Sequence, residues 1–77
     1  MKALIEYIAR SLVDNPEEVT VREIRRGERT ILQLHVAKQD MGRVIGRGGR
    51  VANAIRTLLR VISEREGCQI TLDVVDS

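Results

Sequence analysis

Aromatic residues are almost missing from this chain of 77 residues: Tyr7 is the single one, and there is no phenylalanine or tryptophan. Nucleic-acid-binding modules that stack bases on aromatic side chains, such as RRM sheets and many OB-folds, depend on several such rings. The near absence of aromatic residues therefore makes those modules poor candidates. It also argues against aromatic cages and against interfaces anchored by aromatic side chains.

Cysteine is equally scarce, because Cys68 is the only one. No intramolecular disulfide can form, and a lone thiol fits a reducing compartment. One cysteine and one histidine, His35, cannot supply the closed ligand set of a structural zinc site, so we expect no metal. No apolar run approaches the ~20 residues of a membrane-spanning helix, and no leader pattern is present. These features predict a cytoplasmic protein with no membrane partner.

Positive charge is concentrated between Asp40 and Arg60. The net charge of the whole chain is only +2, but this segment holds five arginines and a single acidic residue. The planar guanidinium fork matches a phosphate group better than the point charge of lysine does. The pattern is typical either of a phosphate-binding surface or of a solvated helix face. The arginines concerned are Arg43, Arg47, Arg50, Arg56 and Arg60.

The first half of the chain predicts one helix and one hairpin. Apolar residues recur every three or four positions from Lys2 to Val13, which indicates an amphipathic helix, and the turn Asp14-Asn15-Pro16 ends it. The segments Val19–Arg25 and Thr30–Ala37 alternate as strands do. A short turn around Gly27 joins the two strands into a hairpin.

The second half predicts two helices and a final strand. Asp40 is suited to N-cap a helix of one or two turns, which the glycines after Ile45 interrupt. A longer helix is predicted from Arg50 to Arg65, and Gly67 is a favourable residue to stop it. The residues from Cys68 to Val75 alternate between apolar and polar and predict the last strand.

These elements predict one α+β domain over residues 1–77 with the order α-β-β-α-α-β. The connection between the second and third strands is about thirty residues long, which allows parallel pairing through a right-handed crossover. We therefore expect a three-stranded mixed sheet with the helices packed on one face and the other face open. At this length roughly 60% of the surface of the unfolded chain can be buried, so the stability margin is small.

The loop Gly46-Arg47-Gly48-Gly49 is the segment most informative about function. Glycines permit backbone angles closed to other residues, and a helix N-terminus offers N–H groups and partial positive charge to a phosphate. The loop does not fit a Walker A motif, because no Lys-Ser or Lys-Thr pair follows, and Val51 stands where a dinucleotide-binding fingerprint needs glycine or alanine. From these four residues alone, a tight turn between two helices with no ligand is the alternative.

The residues around the loop resemble a known signature. The run Val44-Ile45-Gly46-Arg47-Gly48-Gly49-Arg50-Val51-Ala52-Asn53-Ala54-Ile55-Arg56 resembles that of K-homology (KH) domains, in which V-I-G-x-x-G precedes a helix. A helix and a strand before a minimal β-α-α-β motif, at about residues 29–75, resemble the type II, prokaryotic arrangement. The size of the chain and the run Asp40-Met41-Gly42-Arg43-Val44-Ile45-Gly46 resemble the small bacterial single-KH RNA-binding proteins of the KhpA type.

The resemblance implies that the chain binds single-stranded RNA. In KH domains the GXXG loop clamps the backbone of about four nucleotides. The bases are expected in an aliphatic groove between the two helices and the edge of the last strand, which would explain why aromatic side chains are not needed. The residues implied are Gly46, Arg47, Gly48 and Gly49 in the loop, Arg43 and Arg50 beside it, and Val44, Ile45, Val51, Ala54 and Ile70 in the groove; plain core packing is the alternative for Val44, Ile45 and Val51.

The resemblance also implies a global RNA-binding protein or RNA chaperone that acts as a homodimer, or as a heterodimer with a larger KH-containing RNA-binding protein. The alternative is a protein-interaction module, used to dimerise or dock, with little RNA affinity of its own. Nothing indicates an enzyme, because no serine, cysteine or paired acid is placed to work with His35. We therefore expect no catalytic residue and no cofactor.

Overall fold

The computed structural model describes residues 1–76 and contains six regular elements. They are α1 (Lys2–Leu12), β1 (Thr20–Arg26), β2 (Arg29–Val36), α2 (Met41–Ile45), α3 (Arg50–Glu66) and β3 (Gln69–Asp76), with short 3₁₀ turns at Pro16–Glu18, Lys38–Asp40 and Arg47–Gly49. The predicted α-β-β-α-α-β order is confirmed. The predicted domain ends at Ser77, which lies outside the described residues.

The sheet is mixed, as expected, and β2 is its central strand. β1 pairs with β2 antiparallel and β3 pairs with β2 parallel. In one row of the sheet Val21 is opposite Leu34, and Leu34 is opposite Val74. The chain between β2 and β3 contains both α2 and α3, because parallel strands require a long crossover.

The helices cover one face of the sheet. The alternation in β2 turns Leu32, Leu34 and Val36 toward them, and all three are completely buried. They share one apolar cluster with Ile5 of α1 and Leu59 of α3. On the other face no element among residues 1–76 covers the strands, where Ile24, Ile31 and Gln33 remain half-buried.

A buried carboxylate joins the end of α1 to the start of α2. Asp40 is completely buried, its Oδ1 accepts a hydrogen bond from the N–H of Asp14 at 3.3 Å, and its Oδ2 accepts two from the backbone N–H and side-chain amide of Asn15, each at 3.0 Å. The prediction that Asp40 caps α2 is wrong in this respect, because its side chain makes no capping hydrogen bond. The donors of the α1–β1 connection occupy the carboxylate instead.

These contacts favour the charged form of Asp40. Burial raises the pKa of this carboxyl, but the hydrogen bonds from Asn15 and Asp14 and the positive charge of Arg43 outweigh burial and hold the pKa below its ordinary 3.8. Arg43 is in turn paired with Asp14, with 3.2 Å between Nη2 and Oδ2. The fold therefore depends on an ionised group where the loop region begins.

Acid should weaken this connection through Asp40. The pKa of Asp40 is lower in the folded chain than in the unfolded chain. The stabilisation from its charged form is therefore complete at pH values above 3.8, and it is lost as the pH falls through the pKa of the folded chain. We expect Asp40→Asn to unfold at a lower urea concentration than the parent at neutral pH. The difference in unfolding free energy should shrink below pH 3.8. Urea titrations of both proteins at a series of pH values measure this difference, and a difference that grew on acidification would contradict the assignment.

Candidate nucleic-acid interface

The glycine loop between α2 and α3 has one residue that must be glycine for two reasons. Gly46 has φ 78° and ψ 170°, a combination that essentially only glycine adopts. A Cβ placed on Gly46 would also lie 2.6 Å from Cγ2 of Val51. Gly46 therefore fixes the close approach of the loop to the first turn of α3.

Gly48, at the tip of the same loop, is different. It also has a positive φ, 64°, with ψ 18°, but a Cβ there would meet nothing within 4 Å. This left-handed conformation is one that asparagine and aspartate tolerate better than other side chains do. The tip is thus open to solvent and accepts substitution more easily than Gly46.

Two guanidinium groups beside the loop have no partner. The side chains of Arg47 and Arg50 are exposed, and within residues 1–76 neither forms a hydrogen bond or an ion pair. No side chain caps α3 at Gly49, so the positive end of the helix dipole is left for a ligand. Arg43 differs, because its charge is paired with Asp14. The loop therefore presents unpaired positive charge suited to a phosphate group.

A groove runs along α3, from Asn53 to Arg60, and the outer edge of β3. We call it the α3–β3 groove; its volume is about 420 Å³. Arg56 bridges the two elements across it, donating to the carbonyl of Leu72 at 3.3 Å and to Oδ1 of Asn53 at 3.5 Å. The residues that line the groove are Asn53, Arg56, Thr57 and Arg60 on α3 and Ile70, Thr71 and Leu72 on β3.

β3 is an edge strand of the sheet, and its outer edge lines this groove. Backbone N–H and C=O groups of successive residues in a strand point alternately to its two sides. The N–H of Ile70 donates to Oγ of Ser63 at 2.8 Å and the carbonyl of Leu72 accepts from Arg56, so both residues face outward. These two groups are occupied, so a planar ligand in the groove meets the other outward groups of the same residues, the carbonyl of Ile70 and the N–H of Leu72, and the polar α3 side chains.

The groove differs in composition from the one expected from the sequence. Of the five predicted groove residues only Ile70 is in its lining. Val44 is completely buried in the core, Ile45 and Val51 are half-buried, and Ala54 is exposed on α3.

Of the polar groove residues on α3, Arg56 and Arg60 stand out in the sequence for their charge alone, and Asn53 and Thr57 do not stand out. Asn53, Arg56, Thr57 and Arg60 recur at positions i, i+3, i+4 and i+7, which places them on one side of the helix. This spacing is the only feature of the sequence that indicates a shared polar surface. A solvated helix face has the same spacing, so the spacing alone does not indicate a groove.

Other candidate chemistry is limited in the part of the chain that the structure describes. No group of three or more histidine, cysteine, aspartate or glutamate residues there could hold a metal ion. Nor does any helix among those residues have the length and apolar character needed to cross a membrane. Nε2 of His35, on the open sheet face, is buried and has no hydrogen-bond partner, and Cys68 is a half-buried free thiol.

A β-α-α-β unit with a glycine loop between its helices, preceded by a helix and a strand, defines a type II KH fold. A family model described as the KhpA/KhpB KH domain matches residues 2–74. The chain therefore belongs to the KhpA/KhpB family of KH domains.

Individual relatives agree with this assignment over nearly the whole chain. The RNA-binding protein KhpA of Clostridium perfringens is 45% identical over 75 residues, which are 97% of this chain and 100% of that protein. KhpA of Chlamydia pneumoniae is 41% identical over 76 residues, 99% of this chain and 97% of that protein. KhpA of Treponema pallidum is 48% identical over 73 residues, which are 95% of this chain and 91% of that protein.

The two loop glycines should respond differently to a single methyl group. Gly46→Ala introduces both an unfavourable backbone conformation and a contact with Val51, so we expect a loss of about 3 kcal/mol or more in unfolding free energy. Gly48→Ala adds only the cost of placing alanine in a left-handed backbone conformation, so the unfolding free energy should fall by roughly 1–2 kcal/mol. Urea unfolding of the two variants and the parent measures the difference. Equal losses would contradict the steric role assigned to Gly46.

Proposed function

We propose that this chain binds single-stranded RNA and catalyses no reaction. The observation that carries the proposal is the pair of unpartnered guanidinium groups, Arg47 and Arg50, at the uncapped start of α3, where Arg50 precedes the first groove residue, Asn53, by three positions. The name of the relatives, RNA-binding protein KhpA, supports the same function. The glycine loop holds phosphate groups and the groove holds bases.

Each part of the site has a distinct task in this proposal. Arg47 and Arg50 neutralise phosphates, and Gly48 and Gly49 let the RNA backbone approach the main chain without a Cβ in the way. Ile70 offers apolar contact to a base, and Asn53 offers hydrogen bonds to its edge. Because Arg43 is already paired with Asp14, its contribution is a more distant electrostatic one.

The affinity of one such site is limited. A KH groove accommodates about four nucleotides, and this one lacks aromatic stacking, so we expect a dissociation constant of roughly micromolar or weaker. Weak contact with modest base discrimination suits a global RNA-binding protein or RNA chaperone. We propose this role for the chain, together with a cytoplasmic location and a single KH domain that spans the whole chain.

Reversing charge at the loop tip should abolish RNA binding without unfolding the chain. In Arg47→Asp/Gly48→Asp, two carboxylates stand where phosphate is expected, while Gly46 is intact and aspartate tolerates the backbone of position 48. We expect affinity for a fluorescein-labelled random-sequence RNA to fall at least tenfold. Arg47→Ser/Gly48→Asn is the matched control for shape, and its loss should be smaller. Native circular dichroism with unchanged affinity would show that the loop is not the RNA clamp.

Salt dependence provides an independent measure of phosphate contact. For three to five contacted phosphates, log K should fall against log[salt] with a slope of about −2 to −3.5, since each contact contributes ~0.7 for single strands. Arg47→Ala or Arg50→Ala should each flatten the slope by up to ~0.7. A flat profile in the parent would instead favour the protein-interaction module.

We extend the proposal to a dimer, either of two copies or with a larger KH-containing protein. Five large apolar side chains are the most exposed among the described residues. Met1 precedes α1, Leu4 and Tyr7 lie on α1, and Leu58 and Val61 lie on α3. Tyr7 is 72% exposed and is the only aromatic residue of the chain. Met41 on the short helix α2 packs against the core, which favours the α1 and α3 surfaces for the interface.

Sedimentation should reveal self-association and its dependence on these surfaces. We expect the parent at micromolar concentration to sediment above the monomer mass. Tyr7→Ser/Val61→Ser should sediment as a monomer and keep its affinity for a tetranucleotide. Linked sites can gain on the order of 10² to 10⁴ in avidity, so the dimer should prefer a twelve-nucleotide RNA. A parent that is monomeric at all concentrations would contradict the extension to a homodimer.

A further inference from the structure

The α3–β3 groove does not end at β3 but continues around the start of that strand. A second hollow of about 430 Å³ shares Arg60, Ile70 and Thr71 with the groove, and its other lining residues are Ser63, the acidic Glu64, Cys68 and Gln69. A third hollow, about 470 Å³, shares Cys68 and Gln69 with the second. The three depressions therefore form one continuous path over the surface.

The path ends at the β1–β2 hairpin. The third hollow is lined by Arg26, Glu28 and Arg29 of the hairpin, together with residues of the α3–β3 connection. A backbone hydrogen bond of 2.9 Å from the N–H of Gln69 to the carbonyl of Glu28 holds the hairpin beside the start of β3. The hairpin is thus fixed in place at the far end of the groove.

The two hairpin arginines are unpaired. Arg26 and Arg29 are opposite each other in the β1–β2 register, both are exposed, and the side chain of neither has an ion pair or hydrogen bond within residues 1–76. The nearby Arg25 differs, because it pairs with Glu23 at 3.6 Å. The side chain of Glu28 is the one acidic group in this hollow and opposes the two positive charges.

We propose that Arg26 and Arg29 bind phosphates of the RNA strand where it leaves the α3–β3 groove. The inference rests on the proposed function and extends its site from the glycine loop to the hairpin. Two guanidinium groups across a strand pair suit successive phosphates of a flexible single strand. The binding site then exceeds the four nucleotides of the loop and groove, within a single chain.

The test uses fluorescein-labelled random-sequence RNA of four and of ten nucleotides, and the variant Arg26→Gln/Arg29→Gln. Loss of two contacts, each contributing ~0.7 to the salt exponent, lowers affinity roughly tenfold at about 0.15 M salt and flattens the slope by about 1.4. We expect that loss for the ten-nucleotide RNA, with affinity for the four-nucleotide RNA changed less than about twofold.

A matched control distinguishes phosphate contacts made by the hairpin arginines from a general effect of net charge on RNA affinity. Lys2→Gln/Arg65→Gln removes the same net charge, and Arg65 lies nine residues after Arg56, two and a half turns, on the opposite side of α3. We expect little change for either RNA. Equal losses in the two double variants would overturn the inference, because the effect would then be one of net charge.

Glu28→Gln keeps the proposal testable if the hairpin arginine variant does not fold. It removes the opposing charge and leaves the backbone bond to Gln69 in place, so affinity for the ten-nucleotide RNA should rise severalfold. Unchanged affinity in Glu28→Gln, or in a folded Arg26→Gln/Arg29→Gln, would overturn the inference. Sedimentation of the parent and of each variant must show the same oligomeric state, because dimer formation also raises the affinity for longer RNA.

The outcome also distinguishes this inference from the proposed function. If Arg47→Asp/Gly48→Asp abolishes binding of the four-nucleotide RNA and the hairpin variants change nothing, RNA binding stands and the extension fails. If the parent binds neither RNA, the proposed function itself fails, and the extension fails with it.

Discussion

The parallel pairing of β2 with β3 is the constraint on which the rest of the structure depends. A tight turn cannot join two parallel strands, so residues 37–68 must leave one end of the sheet and return to the other. The returning segment is α3, and its large buried apolar residues belong to the same core cluster as Leu32, Leu34 and Leu72. The glycine loop is the corner of this crossover, so three of the five positive-φ glycines among residues 1–76 lie just before the start of the longest helix.

The outgoing part of the crossover is short and needs external support. α2 has only five residues, too few for a helix that is stable by itself. Asp40 supplies the support by accepting three hydrogen bonds from the α1–β1 connection, and Val44 anchors the other side of α2 in the core. In a chain with no disulfide, this buried carboxylate links α1 to the crossover and so fixes the direction in which the loop points.

The sequence predicted the elements closely, because each has one apolar face with a clear period. The ends of α1, α3 and the three strands differ from the predicted ones by at most one residue, and the length of the crossover allowed the parallel pairing that the structure has. The loop was equally visible, since three glycines in four positions interrupt any helix and indicate a turn with backbone angles closed to other residues.

Contacts between distant segments could not be predicted in the same way. The donors to Asp40 are 25 and 26 residues earlier in the chain, and no local pattern indicates them. Val44 adjoins the loop in sequence but is completely buried in the core, which is the alternative that the sequence had left open for it. Asn53 and Arg56 resemble a solvated helix face, and only the position of β3 beside α3 makes that face one wall of a groove.

The outer edge of β3 has a consequence for association with other polypeptides. An exposed strand edge is a template for pairing with foreign strands and hence for cross-β aggregation. Arg56 occupies the carbonyl of Leu72 and Ser63 occupies the N–H of Ile70, so the regular ladder that an incoming strand requires is interrupted at two successive outward-facing residues. Arg56 also places a positive charge beside the edge. The edge is thereby closed to extended peptides while it stays accessible to small planar groups that need only one or two hydrogen bonds.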